Sequence, residues 1–309
     1  MKILFMGTPD IAAVSLGAVS ETSESIVGVV TQPDKPKGRG YTLTPPPVKV
    51  KAQELGLRVL QPERIRTEEF AATLAELDPD LIIVVAYGKI LPANVLSYPR
   101  YGCINAHASL LPKYRGAAPI QRAIMEGETD TGVTAMYMDE GLDTGDMILT
   151  RRVSIEESDN FETVHDKLAI AAADALTETI AQIKAGTITR TPQPDGFTYA
   201  AKIEDADMVL DFTRTARELH CQVRGLCPIP IAYTHTPDGK RLRVYTAEYD
   251  GTDVNKPVGT VISTAHGKIA VACGSGTLYI TECQPEGKRR MTAADLINGR
   301  RIAVGDVLA

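Results

Sequence analysis

The first part of the chain alternates short apolar runs with segments of helical period, and this alternation most restricts the folds open to it. Residues 2–6, 26–30 and 81–86 are short and apolar enough for buried strands. Residues 9–19 and 67–77 carry the spacing of amphipathic helices. Strands that alternate with helices are typical of βαβ units, which place parallel strands side by side. The sequence therefore predicts a doubly wound α/β domain with a mostly parallel sheet.

The pattern changes after the middle of the chain. Further strands are expected at 133–138 and 147–153, and residues 161–184 have the period of a long amphipathic helix. Two prolines and a glycine in residues 187–196 suit a linker. We therefore expect a first domain at 1–189, a linker at 190–205 and a second domain at 206–309.

The second domain is predicted to be a small barrel. One helix is expected at 213–225, and five short β-rich runs follow it at 231–236, 242–249, 259–262, 269–273 and 278–282. Several short strands separated by turn residues suit a small β-barrel rather than a parallel sheet.

Charge is distributed unevenly between the two regions. The 309 residues carry a net charge of −6 and give no overall basic signature for nucleic acid. Residues 206–309 hold 13 Lys and Arg against 11 Asp and Glu, a net charge of +2, whereas residues 1–205 hold 20 against 28, a net charge of −8. This step supports a boundary near residue 205, but +2 alone is too small to indicate a polyanionic partner.

One motif carries the chemistry. Residues 104–121 read I-N-A-H-A-S-L-L-P-K-Y-R-G-A-A-P-I-Q, and G-L-D-T-G-D follows at 141–146. The motif supplies Asn105, His107 and Asp143. An amide, an imidazole and a carboxylate suit transfer of an activated one-carbon acyl unit to an amine, because the amide can hold the developing oxyanion while the other two groups manage the amine's protons.

His107 and Asp143 each also have a purely structural interpretation. A single histidine in an apolar setting is more often a packed, hydrogen-bonded core residue. An aspartate in D-T-G is often a turn residue that binds its own backbone. Asn105, His107 and Ser109 alternate with two alanines, so on a strand end their side chains share one face, and this convergence favours the catalytic interpretation.

Other classes of site are disfavoured by the sequence. The turn at residues 7–10, G-T-P-D, lacks the G-x-G-x-x-G pattern, which argues against a nucleotide-dependent dehydrogenase. Cys221 and Cys227 near His220 fit no common zinc spacing, so we expect no metal site. Five cysteines without a C-x-x-C pair favour a protein of the reducing cytoplasm, and the lack of a long apolar run argues against a membrane protein. No obligate protein partner is evident from the sequence. A third alternative is a tRNA-binding protein without catalytic activity. Such a protein would have the barrel but not the trio of Asn, His and Asp.

Several motifs together resemble the formyltransferases that use 10-formyltetrahydrofolate. They are the catalytic trio, M-G-T-P at 6–9, V-V-A-Y-G at 84–88 and Q-P-E-G-K-R-R-M-T-A-A-D at 284–295. The resemblance extends over essentially the whole chain. It implies a Rossmann-like domain that binds folate, followed by a C-terminal barrel similar to an OB fold.

The resemblance also implies roles for individual residues. Asn105, His107 and Asp143 would be catalytic, with no metal. The residues implied to bind 10-formyltetrahydrofolate are Ser109, Leu110, Leu111, Pro112, Tyr87, Gly88 and Ile90.

Two segments resemble the family members that formylate methionine on initiator tRNA for translation initiation. These are the G-R-G loop within residues 32–49 and the E-G-K-R-R-M stretch at 286–291. A long loop rich in Pro, Gly and cations is usually functional or disordered, and taken alone it is also consistent with a solvated run of charge. The residues implied to contact tRNA are Arg39, Lys35, Lys37, Lys288 and Arg289. The alternative acceptor is the amine of a sugar nucleotide.

One segment departs from the family pattern. Residues 227–230 read C-P-I-P where N-P-W-P is usual, and the chain has no tryptophan. An aromatic role at this position, in tRNA contact or in barrel packing, is therefore not expected here.

Overall fold

The structure, a computed structural model, describes residues 1–37 and 42–309. It contains two compact units. The first comprises residues 1–116, 130–154 and 165–200, and the second comprises 117–129, 155–164 and 201–309. Two segments from within the range 1–189 therefore belong to the second unit, and residues 190–200 belong to the first. The domain boundaries at 189 and 206 stay a prediction.

The first unit is built on a seven-stranded sheet. The strands of this unit are β1 (Lys2–Gly7), β2 (Ser25–Val30), β3 (Lys35–Lys37), β4 (Thr42–Thr44), β5 (Val59–Leu60), β6 (Leu81–Val85), β7 (Cys103–His107), β8 (Arg115–Gly116), β9 (Asp130–Tyr137), β10 (Met147–Ser154) and β11 (Tyr199–Ala200). The large sheet has the order β10-β9-β7-β6-β1-β2-β5, while β3 pairs with β4 and β8 with β11. Strands β5, β2, β1, β6 and β7 are parallel, and β9 runs antiparallel to both of its neighbours, β7 and β10. The predicted Rossmann-like domain is confirmed.

The helices of the described residues are α1 (Asp10–Ser20), α2 (Pro47–Glu54), α3 (Glu68–Leu77), α4 (Ala93–Leu96), α5 (Pro119–Met125), α6 (Phe161–Ala185), α7 (Asp205–Met208), α8 (Ala216–Leu226) and α9 (Ala293–Asn298). A 3-10 turn covers Ala265–Gly267. Side-chain hydrogen bonds cap the ends of some of these helices. The hydroxyl of Thr67 accepts a hydrogen bond from the Phe70 amide and so begins α3. None of these helices is both long and apolar enough to cross a membrane.

The core of the first unit lies against the sheet. All five residues of β6 are buried, which explains their unbroken apolar run, because helices cover both faces of a parallel sheet. Leu4 of β1, Ile82 of β6 and Leu74 of α3 belong to one apolar cluster. This packing holds the adjacent β7 in a fixed position, with the carboxyl ends of β6 and β7 at the same edge.

The second unit contains a curled antiparallel half-barrel, in agreement with the predicted OB-like barrel. Its strands are β12 (Ala232–His235), β13 (Arg241–Asp250), β14 (Val261–Ser263), β15 (Ile269–Ala272), β16 (Thr277–Pro285) and β17 (Met291–Thr292). Their order is β12-β13-β16-β15-β14, with β17 paired to β16. Helix α8 begins with a capping box between Thr215 and Glu218, and its buried Leu219 and Val223 pack in the core of this unit.

Candidate active site

The candidate site is at the carboxyl end of β7, within the first unit. Asn105 and His107 are two residues apart on this strand, so their side chains lie on the same face. The Asn105 side chain is half-buried, and among the described residues no group forms a hydrogen bond with its amide. An unused amide donor at the carboxyl edge of a parallel sheet is available to a ligand, because ligands of such sheets bind there.

The hydrogen bonds of His107 define which ring nitrogen is protonated. Its Nε2 lies 2.9 Å from the carbonyl oxygen of Tyr114. A carbonyl can only accept, so Nε2 carries the hydrogen and donates it. In the neutral ring Nδ1 is then the basic nitrogen, and it lies 3.6 Å from Oδ2 of Asp143. This distance is longer than a hydrogen bond, so Nδ1 faces the carboxylate without bonding to it.

The carboxylate of Asp143 is held by a loop of residues 141–146, which we call the Asp143 loop. Asp143 has φ = 54°, in the left-handed region where Asp is more frequent than most residues. Its Oδ2 accepts a hydrogen bond from the backbone N–H of Gly116 at 2.9 Å. A Cβ atom on Gly145 would lie 1.9 Å from the carbonyl oxygen of Tyr137, so glycine is required there. The spacing D-T-G thus reflects both a chemical and a steric requirement.

A glutamine and an arginine support this loop, and the sequence patterns assigned no role to either. The amide Nε2 of Gln193 donates to the carbonyl oxygens of Asp143 (2.8 Å) and Gly145 (2.9 Å). Its Oε1 accepts from Nε (3.0 Å) and Nη2 (2.6 Å) of Arg115. Arg115 is part of the 104–121 motif and could have been suspected. Gln193 lies in the segment expected to be a linker, where the sequence gives no signal.

The implied folate segment 109–112 has a defined backbone conformation. The Ser109 hydroxyl is buried and donates to the carbonyl of Lys113 at 2.7 Å. Thr134 of β9 donates to the Ser109 carbonyl (2.8 Å) and accepts from the Leu111 amide (3.1 Å). Leu111 is buried, Leu110 and Pro112 are half-buried, and the peptide bond between Leu111 and Pro112 is cis. The segment is therefore a fixed wall beside His107.

The other implied folate residues follow β6. Tyr87 is buried in the apolar core, and burial raises the pKa of its phenol to about 12. Its hydroxyl has no hydrogen-bond partner among the described residues. Gly88 has φ = +81°, a conformation suited to glycine. The Ile90 side chain is 73% exposed, and it lines a cleft of about 560 Å³.

This cleft has the size of a small-molecule site, since such sites typically measure about 300–1,000 Å³. Its lining residues are Arg66, Thr67, Glu68, Ala71, Ile90, Leu91, Pro92, Ala93, Asn94 and Glu140. Glu140 directly precedes the Asp143 loop in the chain, whereas Asn105, His107 and Asp143 are not among the residues that line the cleft. The roles of Tyr87, Gly88, Ile90 and the 109–112 segment in folate binding stay predictions.

The cations implied to contact tRNA are in different places. Lys35 is exposed at the start of β3, and Lys37 ends that strand. Arg39 lies outside the described residues. Lys288 and Arg289 are exposed in the connection between β16 and β17, and neither forms an ion pair with the described part of the chain. Their neighbour Arg290, in contrast, pairs with Glu282.

One thiol lies on the same strand as Asn105 and His107. Cys103 is on β7, but burial raises the pKa of its thiol to about 12, so it is protonated at neutral pH. No group of three His, Cys, Asp or Glu side chains within 1–37 and 42–309 is arranged to hold a metal ion.

Comparison with known proteins gives consistent matches along the chain. The family model described as formyl transferase matches residues 1–180, and that of the formyl transferase C-terminal domain matches residues 202–301. A methionyl-tRNA formyltransferase of Geobacter metallireducens is 47% identical over 99% of this chain and 97% of its own length. One from Bacillus subtilis is 48% identical over the same shares.

A solved structure supports the fold. An N-formyltransferase of Helicobacter canadensis, in complex with folinic acid and dTDP-3-aminofucose, superposes with a TM-score of 0.67. The match covers 92% of this chain and 99% of that protein, at 16% sequence identity. At this identity the similarity concerns the fold alone.

Proposed function

Because the chain belongs to the formyl transferase family, we propose that it transfers the formyl group of 10-formyltetrahydrofolate to the α-amino group of methionine esterified to initiator tRNA. The observation that carries this proposal is the match, at 47–48% identity over nearly full length, to relatives named methionyl-tRNA formyltransferase. The structural neighbour that binds an amino sugar is only 16% identical. A sugar-nucleotide amine is thus the less supported acceptor. Translation initiation takes place in the cytoplasm, which is where we place the reaction.

The proposed chemistry depends on three groups of the first unit. The donor supplies a formyl carbon; attack by the amine breaks the bond to N10 and places negative charge on the formyl oxygen during transfer. The half-buried amide of Asn105 is free to donate a hydrogen bond to that oxygen. His107 accepts the amine's proton at Nδ1, since Nε2 is already engaged with the Tyr114 carbonyl. The same ring then returns a proton to the leaving nitrogen.

Asp143 stabilises the protonated form of His107 in this scheme. Its Oδ2 is 3.6 Å from Nδ1, so an imidazolium there lies beside a negative charge. The Gly116 amide fixes the carboxylate in this orientation. Once protonated, the ring donates to Tyr114 on one side and faces Asp143 on the other. Both of its N–H groups are then close to an acceptor.

We assign the donor to the first unit. The segment 109–112 would hold it next to the catalytic residues, and the cleft lined by Ile90 offers the volume and the mixed polar and apolar surface that a pterin with its benzoyl-glutamate extension requires. We assign the acceptor contacts to Lys35, Lys37, Arg39, Lys288 and Arg289, whose charges suit phosphate groups. No further protein subunit enters the scheme.

The acceptor assignment is tested by comparing the rates at which the chain formylates three amine acceptors. The purified chain is incubated with 10-formyltetrahydrofolate and, in parallel, methionyl initiator tRNA, methionyl elongator tRNA and a dTDP-amino sugar. We expect formyl-methionyl initiator tRNA to form with the highest kcat/KM. Formylation of the amino sugar with a higher kcat/KM than either tRNA would overturn the proposal in favour of the sugar acceptor.

A further inference from the structure

We propose that Gln193 is a positioning residue of the active site. Its side-chain amide holds the Asp143 loop in the conformation that directs the Asp143 carboxylate towards His107. The inference rests on the proposed function, because it concerns the rate of the same formyl transfer. It adds Gln193 and its partner Arg115 to the groups on which that rate depends.

The chemistry of the neighbours fixes the orientation of the Gln193 amide. A guanidinium only donates hydrogen bonds and a carbonyl oxygen only accepts them. Oε1 must therefore face Arg115, and Nε2 must face the carbonyls of Asp143 and Gly145. In this orientation the two N–H groups make bonds of 2.8 and 2.9 Å, and the oxygen accepts bonds of 3.0 and 2.6 Å. All the hydrogen-bonding capacity of the amide is used, and any other side chain loses part of it.

The contacts form a closed ring around the catalytic carboxylate. Gln193 binds the backbone of Asp143, the Asp143 carboxylate binds the Gly116 amide, and Gly116 follows Arg115, whose guanidinium binds Gln193. Arg115 is 8% exposed, so it is an internal support and not a surface charge. A shift of one member displaces the others, which ties the carboxylate position to the amide of Gln193.

The Asp143 loop needs such support for two reasons. Asp143 adopts φ = 54°, which is uncommon for a residue with a Cβ atom and persists where the surroundings hold it. Leu142, next to it, is 55% exposed, so the loop is not anchored by an apolar side chain at that point. Two hydrogen bonds from the half-buried amide of Gln193 restrain the loop backbone on either side of Thr144.

Two substitutions test the N–H groups and the carbonyl oxygen of the Gln193 amide. Gln193→Glu keeps an oxygen that accepts from Arg115 but has no N–H group for the two loop carbonyls. It therefore removes only the hydrogen bonds to the Asp143 loop. Gln193→Met removes both halves at similar size. We expect each to lower the single-turnover rate of formylation by about 10- to 100-fold, the loss typical of a catalytic group misplaced by about an ångström. The dissociation constant for the donor should stay within about twofold. Gln53→Glu, at an exposed position of α2, is the matched control and should keep the full rate.

A double variant distinguishes positioning from general support of the fold. If Gln193 acts through Asp143, then Gln193→Glu adds no further loss of rate in an Asp143→Asn background. Thermal unfolding of each variant checks that the chain is folded. Full activity of Gln193→Glu, or a loss that multiplies with that of Asp143→Asn, would overturn the inference. A wild-type chain without formylation activity would instead contradict the proposed function.

Discussion

At the residue scale, we propose that the charge of Asp143 has a role separate from its hydrogen bond. The carboxylate accepts from the Gly116 amide at 2.9 Å and faces Nδ1 of His107 at 3.6 Å. An asparagine can still accept from Gly116 but carries no charge. The two functions of this side chain can therefore be tested with one substitution.

We predict that Asp143→Asn lowers kcat by about 100-fold, because the protonated His107 loses the adjacent negative charge. The KM for the donor should change little, because Asp143 is not among the residues implied to bind it. Steady-state kinetics with both substrates varied measures the two effects. Asp174→Asn removes an exposed carboxylate from α6 and is the control for a change of net charge. A kcat within about threefold of wild type for Asp143→Asn would show that only the hydrogen bond matters.

The sequence allowed the three catalytic candidates to be selected, because their residue types and strand spacing carry the information. Asn105 and His107 share a face as expected, and Asp143 comes close to His107. Gln193 could not be selected in this way. Its role depends on which backbone groups it reaches in the folded chain, and a glutamine between two prolines has no local signature.

At the element scale, an ion pair in the second unit joins α5 to α7. Arg122 of α5 donates from Nη1 and Nη2 to the carboxylate of Asp207 at 2.8 and 2.7 Å. The hydrogen bonds from Arg122 hold the pKa of the Asp207 carboxyl below its ordinary value. Both side chains are partly shielded from water, with exposures of 19% and 25%. Such two-point pairs are stronger than single surface contacts.

We predict that Asp207→Asn lowers the free energy of unfolding of this unit by about 1–3 kcal/mol at pH 7. Because the pKa of Asp207 is lower in the folded chain, its contribution is complete above the unfolded pKa of about 3.9 and is lost as the pH falls through the folded value. The difference between wild type and variant should therefore shrink below about pH 4.

Urea unfolding followed at pH 7, 5 and 3.5 measures this difference. Asp205→Asn, an exposed carboxylate of the same helix, is the control and should leave stability within about 0.5 kcal/mol. A gap between Asp207→Asn and wild type that stays constant across the three pH values would show that the carboxylate charge is not responsible.

The elements with a clear period were predictable, and the shortest ones were not. Strands β1, β2, β6, β9 and β10 were expected, as were α1, α3 and α6. Strands β5, β8, β11 and β17 have two residues each, which is too few for an alternating pattern. Helix α2 begins at Pro47, the last of three consecutive prolines, where composition indicates a loop, although proline is well suited to the first turn of a helix.

At the scale of the whole molecule, net charge differs between residues 1–205 and residues 206–309. This difference is consistent with donor binding in the first part and tRNA contact in the second. Lys288 and Arg289 are exposed and make no ion pair with the described residues, so their charges are available to phosphates. The donor-binding and catalytic candidates are all in the first unit. Variants of the two groups should therefore have different kinetic effects.

We predict that Lys288→Ala and Arg289→Ala each raise the KM for methionyl initiator tRNA and leave donor binding unchanged. Each lost phosphate contact should lower the slope of log affinity against log salt by about 0.7–0.9. The slope is measured from KM at four salt concentrations. Lys256→Ala removes an exposed cation of the same unit at another loop and serves as the control. An unchanged KM and salt slope for both variants would remove tRNA contact from the connection between β16 and β17.

The main proposal is that Asn105 and His107 act directly in formyl transfer to methionyl-tRNA. Its most direct test is the single-turnover rate of formyl-methionyl-tRNA formation with both substrates saturating, measured for wild type, Asn105→Ala and His107→Ala. We predict rapid product formation by wild type and a fall of about 100-fold or more in each variant at unchanged donor occupancy, because each has lost a group that acts in the transition state. A wild-type rate in either variant, or weaker donor binding that accounts for the whole loss, would contradict it.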